Sequence, residues 1–209
     1  MEAQSTAMTV MNTVVGAPWD YPELATVNGI QCDDKLPRFT ALVKPEQSGK
    51  TFIMIQNIIA GFTEPMEGKR VVNIILCDNN LLLTKQTGER VKTDLEPYEV
   101  NGELYLELSS HKRTIYHEAS KVGYALITNP MLSNILCCTN SVRTDDIYTI
   151  ICDLNKSEYT KDKFFFKIWL DEADKFDKYI NDTLKPLVRQ FENISVYCIT
   201  ATPQTLFTK

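Results

Sequence analysis

The sequence predicts an α/β fold built on a mostly parallel sheet with helices on both faces. Three observations carry that expectation. Short, predominantly apolar runs recur along the chain (Phe39 to Val43, Val71 to Cys77, Phe164 to Leu170), and strands buried on both faces read this way. Segments with apolar residues at helical spacing separate them, as in Ile147, Ile150, Ile151 and Leu154. No internal repeat or low-complexity tract interrupts the alternation, so strands joined by crossover helices account for the pattern.

Length and composition bound the rest. With 209 residues, 44% hydrophobic and 23% charged, the chain suits one globular domain with a sizeable core, plus an arm. Residues 1–36 lack periodicity and carry Gly16, Pro18, Pro22 and Gly29, so they are predicted as an irregular N-terminal arm; residues 37–209 are the domain. A formal net charge of -5 excludes a module that grips nucleic acid by overall charge alone. The six cysteines form no CxxC pair, and His111 and His117 have none nearby, which argues against a zinc site and fits a reducing compartment. No apolar run reaches bilayer length and no basic-then-apolar leader opens the sequence, so a soluble intracellular protein without a membrane partner is expected.

In chain order, Phe39 to Val43 is predicted as a buried strand. Phe52, Ile55, Ile58 and Ile59 then recur at helical spacing, with Gly61 as the expected C-cap. Val71 to Cys77 is a strand ending in the turn Asp78-Asn79-Asn80, and a helix starts within Leu81 to Gln86. Asn101-Gly102 signals a hairpin, while Leu104 to Leu108 equally suits a core strand. Gly123 to Thr128 is predicted as a buried strand closed by Asn129-Pro130, followed by a short helix through Met131, Ile135 and Leu136. Thr144 is the expected N-cap of the next helix, with Asp145 and Asp146 in its first turn. Phe164 to Leu170 and Val196 to Ile199 are strands, and the helix between them, Tyr179 to Phe191, is expected to kink or split at Pro186.

Chemistry collects at the strand ends. Lys44-Pro45-Glu46-Gln47-Ser48-Gly49-Lys50-Thr51 lies between a strand and the apolar segment that opens with Phe52. That placement sets Gly49, Lys50 and Thr51 at a helix N-terminus, where unpaired N–H groups and the positive dipole end favour a phosphate. Lys50 would reach the outer phosphates and the Thr51 hydroxyl would ligand Mg²⁺. Gly-Lys-Thr alone recurs by chance, and the full Walker pattern asks for glycine where Lys44 stands. Phe164 to Leu170 leads into Asp171-Glu172-Ala173-Asp174. Acids at the carboxyl edge of a sheet suit metal binding by Asp171 and proton abstraction by Glu172; a solvated helix start is the competing reading. Val196 to Ile199 leads into Thr200-Ala201-Thr202-Pro203, whose hydroxyls can hydrogen-bond those acids, a plain proline turn being the alternative.

Together, QSGKT, DEAD and TATP, each at a predicted strand end, resemble the first RecA-like domain of superfamily 2 helicases and translocases over roughly Pro37 to Lys209. The resemblance implies a P-loop NTPase using ATP and Mg²⁺, with Lys50, Asp171 and Glu172 catalytic and Thr51 and Asp171 holding the metal. Pro45, Glu46, Gln47, Ser48, Gly49, Lys50, Thr51 and Phe52 would contact nucleotide, and Asp174, Thr200, Ala201 and Thr202 would couple its state to strand grip. Asp78 to Gln86 resembles motif Ia and Thr128-Asn129-Pro130 motif Ib, loops that contact a nucleic-acid backbone through hydroxyls, amides and helix N-termini. Asn79, Asn80, Thr84, Lys85, Thr128 and Asn129 are the resulting contact candidates. The TATP sequence favours DNA and the DEAD tetrad favours RNA; DNA is the preferred partner.

Lys44 and Gln47 depart from the small residues usual in the phosphate loop, which would alter nucleotide affinity. That divergence and the polar insertions fit a viral or mobile-element origin. Trp19, Tyr21 and Gln31 are candidates for adenine contact, with simple packing the competing reading. The family's second RecA-like domain supplies arginine fingers contributing about 10³ to 10⁵ in rate. It has no counterpart after Lys209, so this chain alone is expected to be a weak ATPase fragment of a longer enzyme. Another P-loop motor, such as a DNA-packaging ATPase, and a non-enzymatic scaffold module are the alternatives.

Overall fold

The computed structural model describes residues 38–43, 49–60, 68–78, 80–98, 105–108 and 118–201. Within them a six-stranded sheet runs β1 (Phe39–Val43), β6 (Ile194–Thr200), β5 (Phe164–Asp171), β2 (Arg70–Cys77), β4 (Asn134–Cys138) and β3 (Tyr105–Leu108) across its width. Every neighbouring pair is parallel. The helices are α1 (Lys50–Ala60), α2 (Leu81–Leu95), α3 (Ala119–Thr128), α4 (Ser141–Lys156), the short α5 (Asp177–Tyr179) and α6 (Lys185–Gln190). The α/β class with helices on both faces is therefore the one the sequence predicts.

The strand order explains why both faces are covered. From β1 through β2 to β3 the chain moves outward across the sheet; from β3 through β4 and β5 to β6 it returns. Crossovers of one hand put the helices of the outward run on one face and those of the return on the other. The core follows that division. Met54, Ile55 and Ile58 of α1 and Val91 and Leu95 of α2 pack on Ile75, Leu136, Trp169 and Ile199. Val122 and Leu126 of α3, Ile147 to Leu154 of α4 and Leu184 to Val188 pack on Val72, Ile74, Ile135, Phe166, Ile168 and Val196. Alternate residues of one strand serve opposite faces, which is why the runs Val71 to Cys77 and Phe164 to Leu170 are apolar on both faces, interrupted only by Asn73 and Lys167.

Two element assignments are corrected. Gly123 to Thr128 is not a strand but the end of α3. Val122 and Leu126 face the core at i, i+4, whereas Tyr124 and Ile127 are exposed and only made the run look continuous. The expected helix through Met131, Ile135 and Leu136 is instead β4, buried at every position. Its leucine and paired cysteines lack the β-branched signature that marks β2. Strand β3 takes the core-strand reading of 104–108, while the Asn101-Gly102 hairpin, the Gly61 cap and the arm of residues 1–36 lie outside the described residues.

Helix α4 begins a turn earlier than predicted. Asn140, not Thr144, is its N-cap, with its Oδ1 accepting from Arg143 N at 3.0 Å. Thr144 lies inside the helix and donates to the Asn140 and Ser141 carbonyls. The proline split is present: a π-helical turn, Ile180–Leu184, joins α5 to α6, where Pro186 sits in the first turn and needs no N–H partner. At the edge where strands begin, Arg38 donates to the Val188 and Phe191 carbonyls and Arg70 to those of Leu126 and Asn129. Each arginine thereby satisfies carbonyls at a helix C-terminus. Among the described residues no helix is long and apolar enough to cross a membrane.

Candidate functional site

The polar residues at the carboxyl ends of the strands share one edge of the sheet. Strand β6 lies between β1 and β5, with Val43 beside Thr200 and Asp171 beside Ile199. Neighbouring strands are about 4.8 Å apart, so the ends of β1 and β5 are separated by roughly 10 Å. Helix α1 starts on the near side of that gap. Gly49 takes φ +77°, a left-handed conformation that strains a side-chain-bearing residue, and its carbonyl accepts the first helical bond from Ile53 N at 3.0 Å. The first turn of α1 contains no acid, which leaves its positive end uncompensated by the helix itself.

Across the gap, Thr51 Oγ1 donates to Asp171 Oδ2 at 3.3 Å. Burial pushes the Asp171 carboxyl above its ordinary value; the Lys50 charge and the Thr51 hydroxyl pull it back, and Glu172 adds to the rise. Lys50, Thr51 and Asp171 thus act on one another although 120 residues separate Thr51 from Asp171. Phe52 is exposed on α1. Pro45, Glu46, Gln47 and Ser48 lie outside the described residues.

The donor set fits a hard divalent cation. Among the described residues no group of three or more histidines, cysteines or acids stands ready to hold a metal. A hydroxyl and a carboxylate side by side suit Mg²⁺, which keeps several waters and takes its remaining ligands from substrate phosphates.

Glu172, next in the chain, turns away from this pair. It adopts φ 58°, ψ 52° and its carboxylate meets the Lys175 ammonium, which also contacts Asp78 Oδ2 at 2.8 Å. Both carboxylates raise the Lys175 value, Asp78 foremost. Asp174 accepts from Thr200 Oγ1 at 2.6 Å, so the predicted coupling pair is in contact; Ala201 follows half-buried and Thr202 lies outside the described residues.

The nucleic-acid candidates divide. Asn80 is at the site edge, where its Oδ1 accepts from Leu82 N and caps α2, and Lys85 is exposed on the same helix beside Glu89. Asn79 lies outside the described residues. Thr84 is corrected: it is buried and donates to the Asp78 carbonyl at 2.7 Å, so it braces the turn instead of facing a ligand. Thr128 and Asn129 are corrected too. They end α3 at the opposite edge of the sheet, where Thr128 donates to the Tyr124 carbonyl and Asn129 receives Arg70. They cannot share a surface with Asn80. Sequence reasoning missed the polar end of β4, Thr139-Asn140-Ser141, which does stand on the site edge; Thr139 Oγ1 donates to the Cys77 carbonyl at 2.6 Å. An N-cap asparagine straight after a buried run was the available signal.

No protein-family model matches the chain, and no curated protein matches it in sequence. Among solved structures it is similar to a nuclease-deletion mutant of the Type ISP restriction-modification enzyme LlaGI in complex with a DNA substrate mimic. The identity is 15% and the TM-score 0.45, over 78% of this chain and 15% of that one.

Proposed function

We propose that this chain is the ATP-binding and ATP-hydrolysing domain of a nucleic-acid-dependent helicase or translocase. The observation that carries the reading is the Thr51–Asp171 contact at 3.3 Å, made beside the Lys50 charge at the N-terminus of α1. The first turn of α1 and the end of β5 meet there, and a hydroxyl, a carboxylate and an ammonium together suit a metal-bound triphosphate.

In this reading the backbone N–H groups of the first turn of α1 and the Lys50 ammonium bind the β- and γ-phosphates. Thr51 and Asp171 would hold Mg²⁺, which when bound neutralises charge on the phosphate oxygens. Glu172 accepts the proton of the attacking water, and Asp174 with Thr200 relays the state of the site to β6. Nucleic acid, DNA in preference to RNA, would lie along the strand-end edge near Asn80 and Lys85. An arginine from a second RecA-like domain would complete the charge stabilisation and raise the rate.

Calorimetric titration with ATP and Mg²⁺ tests the reading. The parent chain binds and Lys50→Ala loses binding. A flat titration of the parent favours the scaffold alternative, and equal binding by both proteins removes the phosphate-loop assignment.

A further inference from the structure

Cys77 and Cys138 are the last residues of β2 and β4 and stand in register with each other. Two positions earlier, Ile75 and Leu136 pack in the core beneath α1 and α2. Side chains alternate faces along a strand, so both thiols lie on that same face, side by side at the strand-end edge. Cys137, Cys152 and Cys198 pack in the core on the opposite face. Among the described residues, Cys77 and Cys138 are the one pair of reduced thiols set in register on neighbouring strands.

Parallel neighbours lie about 4.8 Å apart, inside the roughly 4.4–6.8 Å that a disulfide asks of its two Cα atoms. A soft cation between two thiolates suits a similar span, but charge decides against it. Burial pushes the Cys77 thiol up, and the Asp171 and Asp78 carboxylates add to the rise. Two buried thiolates beside those acids are costly, whereas a disulfide is neutral. Asn140, half-buried at the start of α4, donates from Nδ2 to Cys138 Sγ at 3.2 Å. That donor faces a sulfur on which charge collects as it attacks, and it marks Cys138 as the attacking thiol. Both cysteines are 2% exposed, yet they form the last rung of the β2–β4 ladder, where local opening costs least.

We propose that Cys77 and Cys138 form a modification site that a hydroperoxide closes to a disulfide, locking the ends of β2 and β4 together. The Cys138 sulfur attacks a peroxide oxygen: an S–O bond forms, the O–O bond breaks, and water leaves to give a sulfenic acid. The Cys77 sulfur then displaces that hydroxyl: an S–S bond forms, the S–O bond breaks, and a second water carries off the remaining thiol proton. The two thiols lose two electrons and two protons, and hydrogen peroxide is reduced to two waters. The joined ends lead into Asp78 and into Thr139-Asn140-Ser141, so one covalent bond fixes this part of the site edge. The site stands independently of the nucleotide reading.

The test treats the full chain with hydrogen peroxide, then denatures it in excess iodoacetamide and maps the digested peptides by mass spectrometry. The Cys77 and Cys138 peptides emerge as one linked species, two hydrogens lighter than their sum, which dithiothreitol separates. The melting temperature rises by about 5–10 °C on oxidation, as closing a long loop demands, and returns on reduction. Cys77→Ala and Cys138→Ala each lose that rise. In Cys77→Ala, which lacks the resolving thiol, dimedone labels Cys138 as the trapped sulfenic acid. Recovery of Cys77 and Cys138 both alkylated after peroxide overturns the proposal, and so does a bond from Cys138 to any other cysteine. Because the mapping is made on the parent chain, it decides even where a variant fails to fold.

Discussion

The hydroxyl of Thr200, the last residue of β6, donates to Asp174 across 2.6 Å, joining the end of one strand to the turn that leaves its neighbour. Thr200 is fully buried, so this bond is shielded from solvent. Thr200→Val keeps the shape and removes the donor. Hydrogen bonds to charged groups contribute about 1.5–3 kcal/mol, and Asp174 is only partly buried, so a loss of about 1–2 kcal/mol is expected. Urea unfolding at constant m-value measures it, and Thr200→Ser retains most of the stability.

Burial disfavours the charge of Asp171. Its carboxyl is raised chiefly by burial, with Lys50 opposing the rise. A carboxyl raised on folding binds its proton more tightly in the folded state. Its charge therefore costs stability above that value, and the cost is relieved as pH falls through it. Asp171→Asn removes the cost, so the metal-free variant should melt above the parent at neutral pH, with the gap closing towards about pH 4. The thermal shift produced by ATP with Mg²⁺ should vanish in the same variant. Scanning calorimetry reads both effects, and a lower melting temperature for the metal-free variant contradicts this electrostatic account.

Three strands are linked through amides in the core. Trp169 Nε1 donates to Asn73 Oδ1 at 3.0 Å, and Asn73 Nδ2 donates to Asn134 Oδ1 at 3.1 Å. Asn73→Leu strips the indole N–H of its acceptor inside the core, where an unsatisfied donor costs about 1–3 kcal/mol. A destabilisation of about 2 kcal/mol or more is expected from chemical unfolding. Combining it with Asn134→Leu should recover part of the loss, because an amide pair replaced by two apolar groups leaves fewer buried polar atoms.

Much of the fold was legible because the central strands need apolar residues on both faces. Phe164 to Leu170 can hardly be read as anything else, and Asp171 follows it directly. The errors fall where that logic weakens. Helix α3 exposes Tyr124 and Ile127, so its periodicity is masked, and β4 is built from residues without strong strand preference. Exchanging those two elements moved Thr128 and Asn129 to the wrong edge of the sheet. The contacts of Thr51 with Asp171 and of Thr200 with Asp174 were legible as pairs of motifs. The Lys175 bridge was not, because it joins the ends of β2 and β5, which only the strand order makes neighbours.

Trp169 stacks on Tyr197 with ring centroids 4.2 Å apart, two positions before Asp171 on the same strand. The chain's other tryptophan is Trp19, so a Trp19→Phe background leaves a single emitter, pinned by its hydrogen bond and by a neighbouring ring. Any shift at the end of β5 changes that emitter's surroundings. The protein thus carries its own optical gauge, readable on a stopped-flow timescale without attaching a dye.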